Sequence, residues 1–319
     1  MISEAKSGRD AMTGEGAGVA GHQRPLWKRI WQAKTGYLMV APTLAFLLVF
    51  LYYPALSGLY RSLFNWTAGR PGKFVGLGNF VELFTDDKVF ILGLKNMLLM
   101  LVWYLFIFVG LSIPVAVLIL RIKSGRVQYF YRLFMILPVV IPGVVFILLW
   151  TFIYDATIGP LNALLTAVGL ENWTRAWLAD PKTALYAVML RNFPWVDGVS
   201  ILILVAGLQA IPVEVIESGR LDGADGLKRL WYIELPLVMG QIKLLIVLTL
   251  MWGVQQYSGI WAMTQGGPID RTQVPGMWMY FNAFRIGRMG YASAIGVVMF
   301  LITLVATIVN MRYIRTTES

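Results

Sequence analysis

The sequence holds no cysteine and one histidine, His22, in 319 residues. Disulfides, thiolate chemistry and Cys-ligated metals are therefore excluded, and one histidine cannot build a metal site or a catalytic triad. Charge is scarce too: Asp, Glu, Lys and Arg make up 14% of the chain, against roughly 25% in soluble domains. A phosphate loop is missing. The nearest approach is Gly72-Lys73, with Phe74 after the lysine and Thr67 where the first glycine belongs, so the chain is expected to carry no ATP site of its own. No cleavable signal peptide is expected, because the first 35 residues are polar and small and the first apolar run is too long for an h-region.

What the chain has in quantity is apolar length. Hydrophobic residues make up 58% of it and the mean hydropathy is +0.67. Residues 35–60, 96–120, 133–154, 244–269 and 289–311 each lack every charged residue type. A sixth stretch, 184–207, is broken only by Arg191 and Asp197. About 20 apolar residues cross a hydrocarbon core of roughly 30 Å, so the reading is an all-α, polytopic bundle of six spans. It has a disordered basic tail over 1–35, a membrane domain over 36–312 and a short tail over 313–319.

Orientation follows from the connections. With both termini inside, segments 1–35, 121–132, 212–243 and 312–319 hold 16 Lys/Arg, whereas 61–95, 155–183 and 266–288 hold 10 over the same total length. The short segment with Arg121, Lys123, Arg126 and Arg132 has four bases and no acid. The net charge of +10 then reflects topology and contact with anionic lipid, and no nucleic-acid partner is expected.

One connection is unlike the rest. Nine of the 44 charged residues fall between Glu214 and Lys243. Pro212 suits the start of a helix, Val213 and Ile216 keep helical spacing, and Leu227, Leu230 and Trp231 share a face of a second helical piece. Between them lies Leu221-Asp222-Gly223, where glycine accepts positive φ cheaply and Asp can cap the next helix. A bent, partly apolar knuckle with an acidic side is expected.

Glu217, Asp222, Gly223, Ala224, Leu235 and Pro236 stand at the spacing of the EAA motif, and the loop 211–236 resembles the ATPase-docking segment of ABC-transporter permeases. Ser218 and Gly219 replace the two alanines of the usual motif. The resemblance implies that Glu214, Glu217, Ser218, Gly219, Asp222, Gly223 and Ala224 form the docking surface, with Glu217 as the ion-pairing contact, Gly223 at the bend and Ser218-Gly219 allowing close backbone approach. Further stretches resemble the sugar-transporting branch: Met263-Thr264-Gln265-Gly266-Gly267-Pro268 with Thr272, Gly290-Tyr291-Ala292-Ser293-Ala294, Phe74-Val75-Gly76-Leu77-Gly78-Asn79-Phe80, Asn96 as a helix-opening residue, and Gly159-Pro160-Leu161-Asn162. They run in register from about residue 36 to 312. The resemblance implies a type I importer permease that pairs with a second, similar permease and two ATPase subunits. It further implies a soluble extracytoplasmic solute-binding protein, a sugar or polyol as solute, and ATP with Mg held only by the ATPases.

Polar groups within spans usually face a cavity or a partner helix. Asn192, Trp252, Gln255, Gln256 and Tyr257 are the candidates for a sugar path, since amides hydrogen-bond hydroxyls and aromatic rings stack on sugar C–H faces. Helix–helix hydrogen bonding is the competing and favoured use for the glutamines, and Arg191 and Asp197 are expected to satisfy each other or an interface. The aromatic segment 274–288 fits an interfacial belt. Two rivals stay open, a permease of another importer branch and an ATP-independent membrane protein.

Overall fold

The computed structural model describes residues 34–70, 72–191 and 193–313. Most of the 1–35 tail, including His22, and the end of the 313–319 tail lie outside them. Helix dominates, as it must where hydrocarbon offers the backbone no partner outside its own segment. The chain divides into two compact units, 1–55 and 56–319. Helix α1 (Lys34–Arg61) carries Pro42 within it, and its part in the first unit, 34–55, is exposed throughout.

The second unit opens with a two-residue antiparallel pairing of β1 (Phe64–Asn65) with β2 (Lys73–Phe74), followed by α2 (Gly78–Thr85). Next comes α3 (Lys88–Arg121), whose 34 residues are enough to cross a membrane. Asp87 caps it, its carboxylate accepting the Phe90 N–H at 2.8 Å. This corrects the expected helix start at Asn96. That residue is buried inside α3, and its Nδ2 donates to the carbonyls of Arg271 and Gln273, each at 2.9 Å. The asparagine therefore ties α3 to a loop 175 residues on.

Then follow α4 (Gly125–Val140) and α5 (Gly143–Ile153), bent by 91° where Pro142 cannot continue the helix. After α6 (Pro160–Ala167) come α7 (Ala184–Leu190) and α8 (Gly198–Gln209). α9 (Val213–Leu221) turns 73° from α8. α10 (Leu227–Leu237) is set 70° from α11 (Met239–Val254), and the turn falls at Val238, two residues beyond the expected stop at Leu235-Pro236. α12 (Ser258–Met263), α13 (Pro275–Tyr280, continuing to Ile286) and α14 (Met289–Tyr313) complete the chain.

Three helices, α1, α3 and α14, are long and apolar enough to cross a membrane, and six spans result if each bent pair counts as one. Two expected spans differ in kind. The stretch 184–207 is two helices separated at 191–197, and the uncharged run 244–269 stops being one helix at Val254. The aromatic segment 274–288 is also not a lipid-facing belt throughout. Val274 and Met277 are buried, and Trp278 Nε1 and Tyr291 Oη both donate to Asp87 Oδ2 at 2.6 Å.

Two apolar cores hold the bundle. One gathers Phe90, Met97, Leu101, Val274, Met277 and Ile295; the other gathers Ala116, Ile119, Ile201, Leu204, Val238 and Ile242. Along α3 they meet at Tyr104–Val109, where the helix widens into a π-turn over Phe106–Leu111. The cavities that Phe108 lines lie at that waist.

Candidate functional site

The knuckle is built as the spacing predicted. Glu214 in the first turn of α9, Glu217 and Ser218 are all exposed. α9 ends where Gly223 takes φ +78°, a conformation that glycine adopts without strain. The N–H of Gly223 then meets the Arg220 carbonyl at 3.0 Å, and that of Ala224 meets the Gly219 carbonyl at 2.8 Å. Asp222 is the C-cap of α9. It does not cap the following helix, which begins after Gly226 with no side-chain cap.

Gly219 is buried, and a β-carbon built on it would fall on Ile233 Cδ1 of α10. The close approach it permits is thus to this chain's own α10. Leu221 is 90% exposed, and Val213, Leu227, Trp231 and Tyr232 are exposed as well. Large apolar side chains thus stand beside exposed carboxylates on a connection rich in charge.

Sequence reasoning missed what anchors the knuckle. Glu234 is only 4% exposed. Its Oε1 lies 2.7 Å from Arg229 Nε, and its Oε2 lies 3.7 Å from an Nη of Arg121. The close approach to Arg229 is not aligned as a hydrogen bond, so charge rather than direction holds it. Arg121 also donates to the Gly226 carbonyl at 3.1 Å. The last residue of α3 is thereby fastened to Gly226, just before α10, and to Glu234 within it.

The proposed path residues are not brought into one cluster. Asn192 lies outside the described residues. Trp252, 39% exposed, stands edge-on to Tyr104 at 5.0 Å and packs on Phe108 at 5.4 Å. It lines a cavity of about 360 Å³ with Asp197, Ser200, Thr249 and Phe108. Gln255 closes α11, bonds the Met251 carbonyl at 2.9 Å and lines a different, apolar groove with Met279, Phe300 and Thr303. Gln256 and Tyr257 sit in the break before α12, where Tyr257 stacks on Tyr280 at 6.5 Å.

Arg191 and Asp197 do not satisfy each other. Asp197 caps α8, its Oδ2 accepting from the N–H of Ser200 at 2.8 Å and its hydroxyl at 2.5 Å. The ion pairs Arg121–Glu234, Arg229–Glu234 and Arg288–Glu82 involve neither Arg191 nor Asp197. On the other side of the bundle, the hydrogen bond to Glu82, at 2.6 Å, is the main cause that raises the Arg288 pKa above its ordinary value. The waist combines aromatic walls with the hydroxyls of Ser200 and Thr249 and the single carboxylate of Asp197, a mostly apolar lining with a few polar groups that is common in ligand pockets. A second cavity, of about 330 Å³, adjoins it across Phe108 and is lined by Trp195, Phe146 and Pro138.

Residues 109–316 match the profile of the binding-protein-dependent transport system inner membrane component. The chain is 37% identical over 284 residues to the probable ABC transporter permease protein YurN of Bacillus subtilis, covering 88% of this chain and 96% of that one. It is 28% identical to the multiple sugar-binding transport system permease protein MsmF of Streptococcus mutans, covering 87% and 94%. In fold it is similar to a chain of a bacterial alginate ABC transporter solved in complex with an alginate pentasaccharide-bound periplasmic protein. There the TM-score is 0.79 at 24% identity, covering 92% of this chain and 99% of that one.

Proposed function

The chain belongs to the family of binding-protein-dependent transport system inner membrane components, and we propose that it forms half of the translocation path of an ATP-driven importer of a carbohydrate or related polyol. The loop 211–236 is the grip of the ATPase. Glu217, exposed on α9, pairs there with a basic residue, and the apolar side chains beside it fill a groove. ATP and Mg reside on the ATPase subunits, a second similar permease completes the path, and a solute-binding protein delivers the solute from the opposite side. Both termini face the cytoplasm.

The observation that carries this reading is the exposed acidic knuckle inside the family-matched region, with its base ion-paired to the end of α3. A ligand or partner shifts a conformational equilibrium only through differential contacts. Force on α9 and α10 reaches Arg121 and hence the full length of α3, whose middle residues Tyr104 and Phe108 wall the waist cavities. Closing of the ATPases would thus tilt α3 and change access to the cavity beside Trp252.

Co-expression of the tagged chain with its cognate ATPase and second permease tests this. A stable complex that hydrolyses ATP is the expected result. Recovery of the chain alone, with the ATPase in the unbound fraction, contradicts it.

A further inference from the structure

Arg191 is 8% exposed and takes no part in the ion pairs of the described residues. Its one acidic neighbour in sequence, Asp197, is occupied in capping α8. Its guanidinium lies against Gly259 so closely that any β-carbon there would overlap it, so the backbone of α12 gives it room rather than a counter-charge. It shares a cavity of about 10 Å³, the size of one water, with Trp103, Tyr104, Phe108 and Phe193. The Tyr104 hydroxyl is itself buried without a hydrogen-bond partner.

Depth makes this costly. Tyr104 stands sixteen residues after Lys88 and seventeen before Arg121, the ends of α3, and both neighbouring spans are broken here, at 191–197 and 255–257. A guanidinium does not shed its proton. From the middle of a core roughly 30 Å thick, its side chain is too short to reach an interface. A buried charge persists only with a partner, and substrate sites of transporters lie near the midplane where helices are discontinuous.

Resting on the importer reading above, we propose that Arg191, with the Tyr104 hydroxyl, receives an anionic group of the transported solute. The solute is a sugar or polyol bearing a carboxylate, sulfonate or phosphate. A planar guanidinium suits each of these oxyanions bidentately, and a phenol adds a third donor. Phe108 lines both this one-water gap and the larger cavity that Trp252 lines, so the gap must widen toward that cavity to admit an oxyanion. No ion pair with the other described residues compensates the cation, because its counter-ion arrives with each transport cycle.

The test uses the complete complex, binding protein included, in proteoliposomes supplied with a mixture of labelled neutral, carboxylated, sulfonated and phosphorylated oligosaccharides and polyols. Wild type is expected to accumulate a charged class in preference to the neutral one, with ATP. Arg191→Gln should lower that uptake about tenfold or more, as expected for loss of a charge-assisted bidentate contact, at unchanged subunit stoichiometry. Arg191→Lys should fall between the two with a raised KM. Accumulation of the neutral class only, or charged uptake unchanged in Arg191→Gln, overturns the proposal. Failure of both variants to assemble overturns it as well, since Arg191 then pairs with a subunit of the complex. Uptake that ignores ATP in wild type strikes instead at the importer reading itself.

Discussion

Arg229 and Glu234 are five residues apart, and their side chains meet at 2.7 Å across the π-turn Leu230–Glu234. In an α-helix the partners on one face are three or four residues apart; the i→i+5 turn brings this pair together instead. With Arg121 beside them, the cluster fastens the docking knuckle to α3.

Glu234→Ala should therefore loosen the knuckle. Breaking a buried ion pair costs about 3–5 kcal/mol, and the loss here should fall below that range because the side chains of Arg121 and Arg229 are 41% and 22% exposed and can hydrate. A lowered thermal unfolding midpoint and a reduced yield of co-purified ATPase are expected, with Glu234→Gln milder in both. Unchanged ATPase recovery in Glu234→Ala would remove the cluster from the coupling route.

Ile233 occupies the space that the family's usual alanine methyl would fill at Gly219. Gly219→Ala alone should be close to neutral, because a gain of about 1 kcal/mol in helix propensity is offset by displacement of the Ile233 terminal methyl. Paired with Ile233→Val, which removes that methyl, it should be more stable than either single variant. A double-mutant cycle on unfolding midpoints reads the coupling. Strict additivity would mean that the contact has no energetic weight.

Glu217→Lys leaves every contact described within the chain intact, since the side chain is exposed. It should reach the membrane at wild-type abundance and yet lose transport and solute-stimulated ATP hydrolysis. Quantitative blotting of membranes alongside ATPase assays separates this outcome from misfolding; wild-type coupling would discard the docking role.

Three of the four path candidates in the fifth span should part company. Trp252→Ala opens the waist cavity and should raise the KM for uptake severalfold. Gln256→Leu, in the break before α12, should alter transport without disturbing ATPase recruitment. Gln255→Leu faces the apolar groove and should leave KM unchanged. A larger effect at Gln255 than at Trp252 would place the path along that groove.

The knuckle was legible because its signals are local: an acidic stretch in a greasy chain, and Asp222-Gly223 at a turn that only positive φ can make. The helical, membrane-spanning class was legible from uncharged runs, but three helices are long enough to span outright and six spans result only if each bent pair counts as one. Where helices begin and break was not. Lys88 and Lys95 made the first two turns of α3 look like loop, and the break at 255–257 carries no charge and so is hidden within the run 244–269. Arg191 and Asp197 looked like a pair because they are adjacent charges in an apolar segment. Nothing in their spacing shows that Ser200 claims the carboxylate first. Glu234 was one of nine charges between 214 and 243 with no signal of its own, and its pairing with Arg229 comes from the π-turn Leu230–Glu234.

The account stands most directly on the dependence of transport on the ATPase. In proteoliposomes containing the complete complex and its binding protein, solute uptake should require ATP and be abolished by Glu217→Lys. Uptake at full rate by this chain alone, without nucleotide or companion subunits, would contradict it.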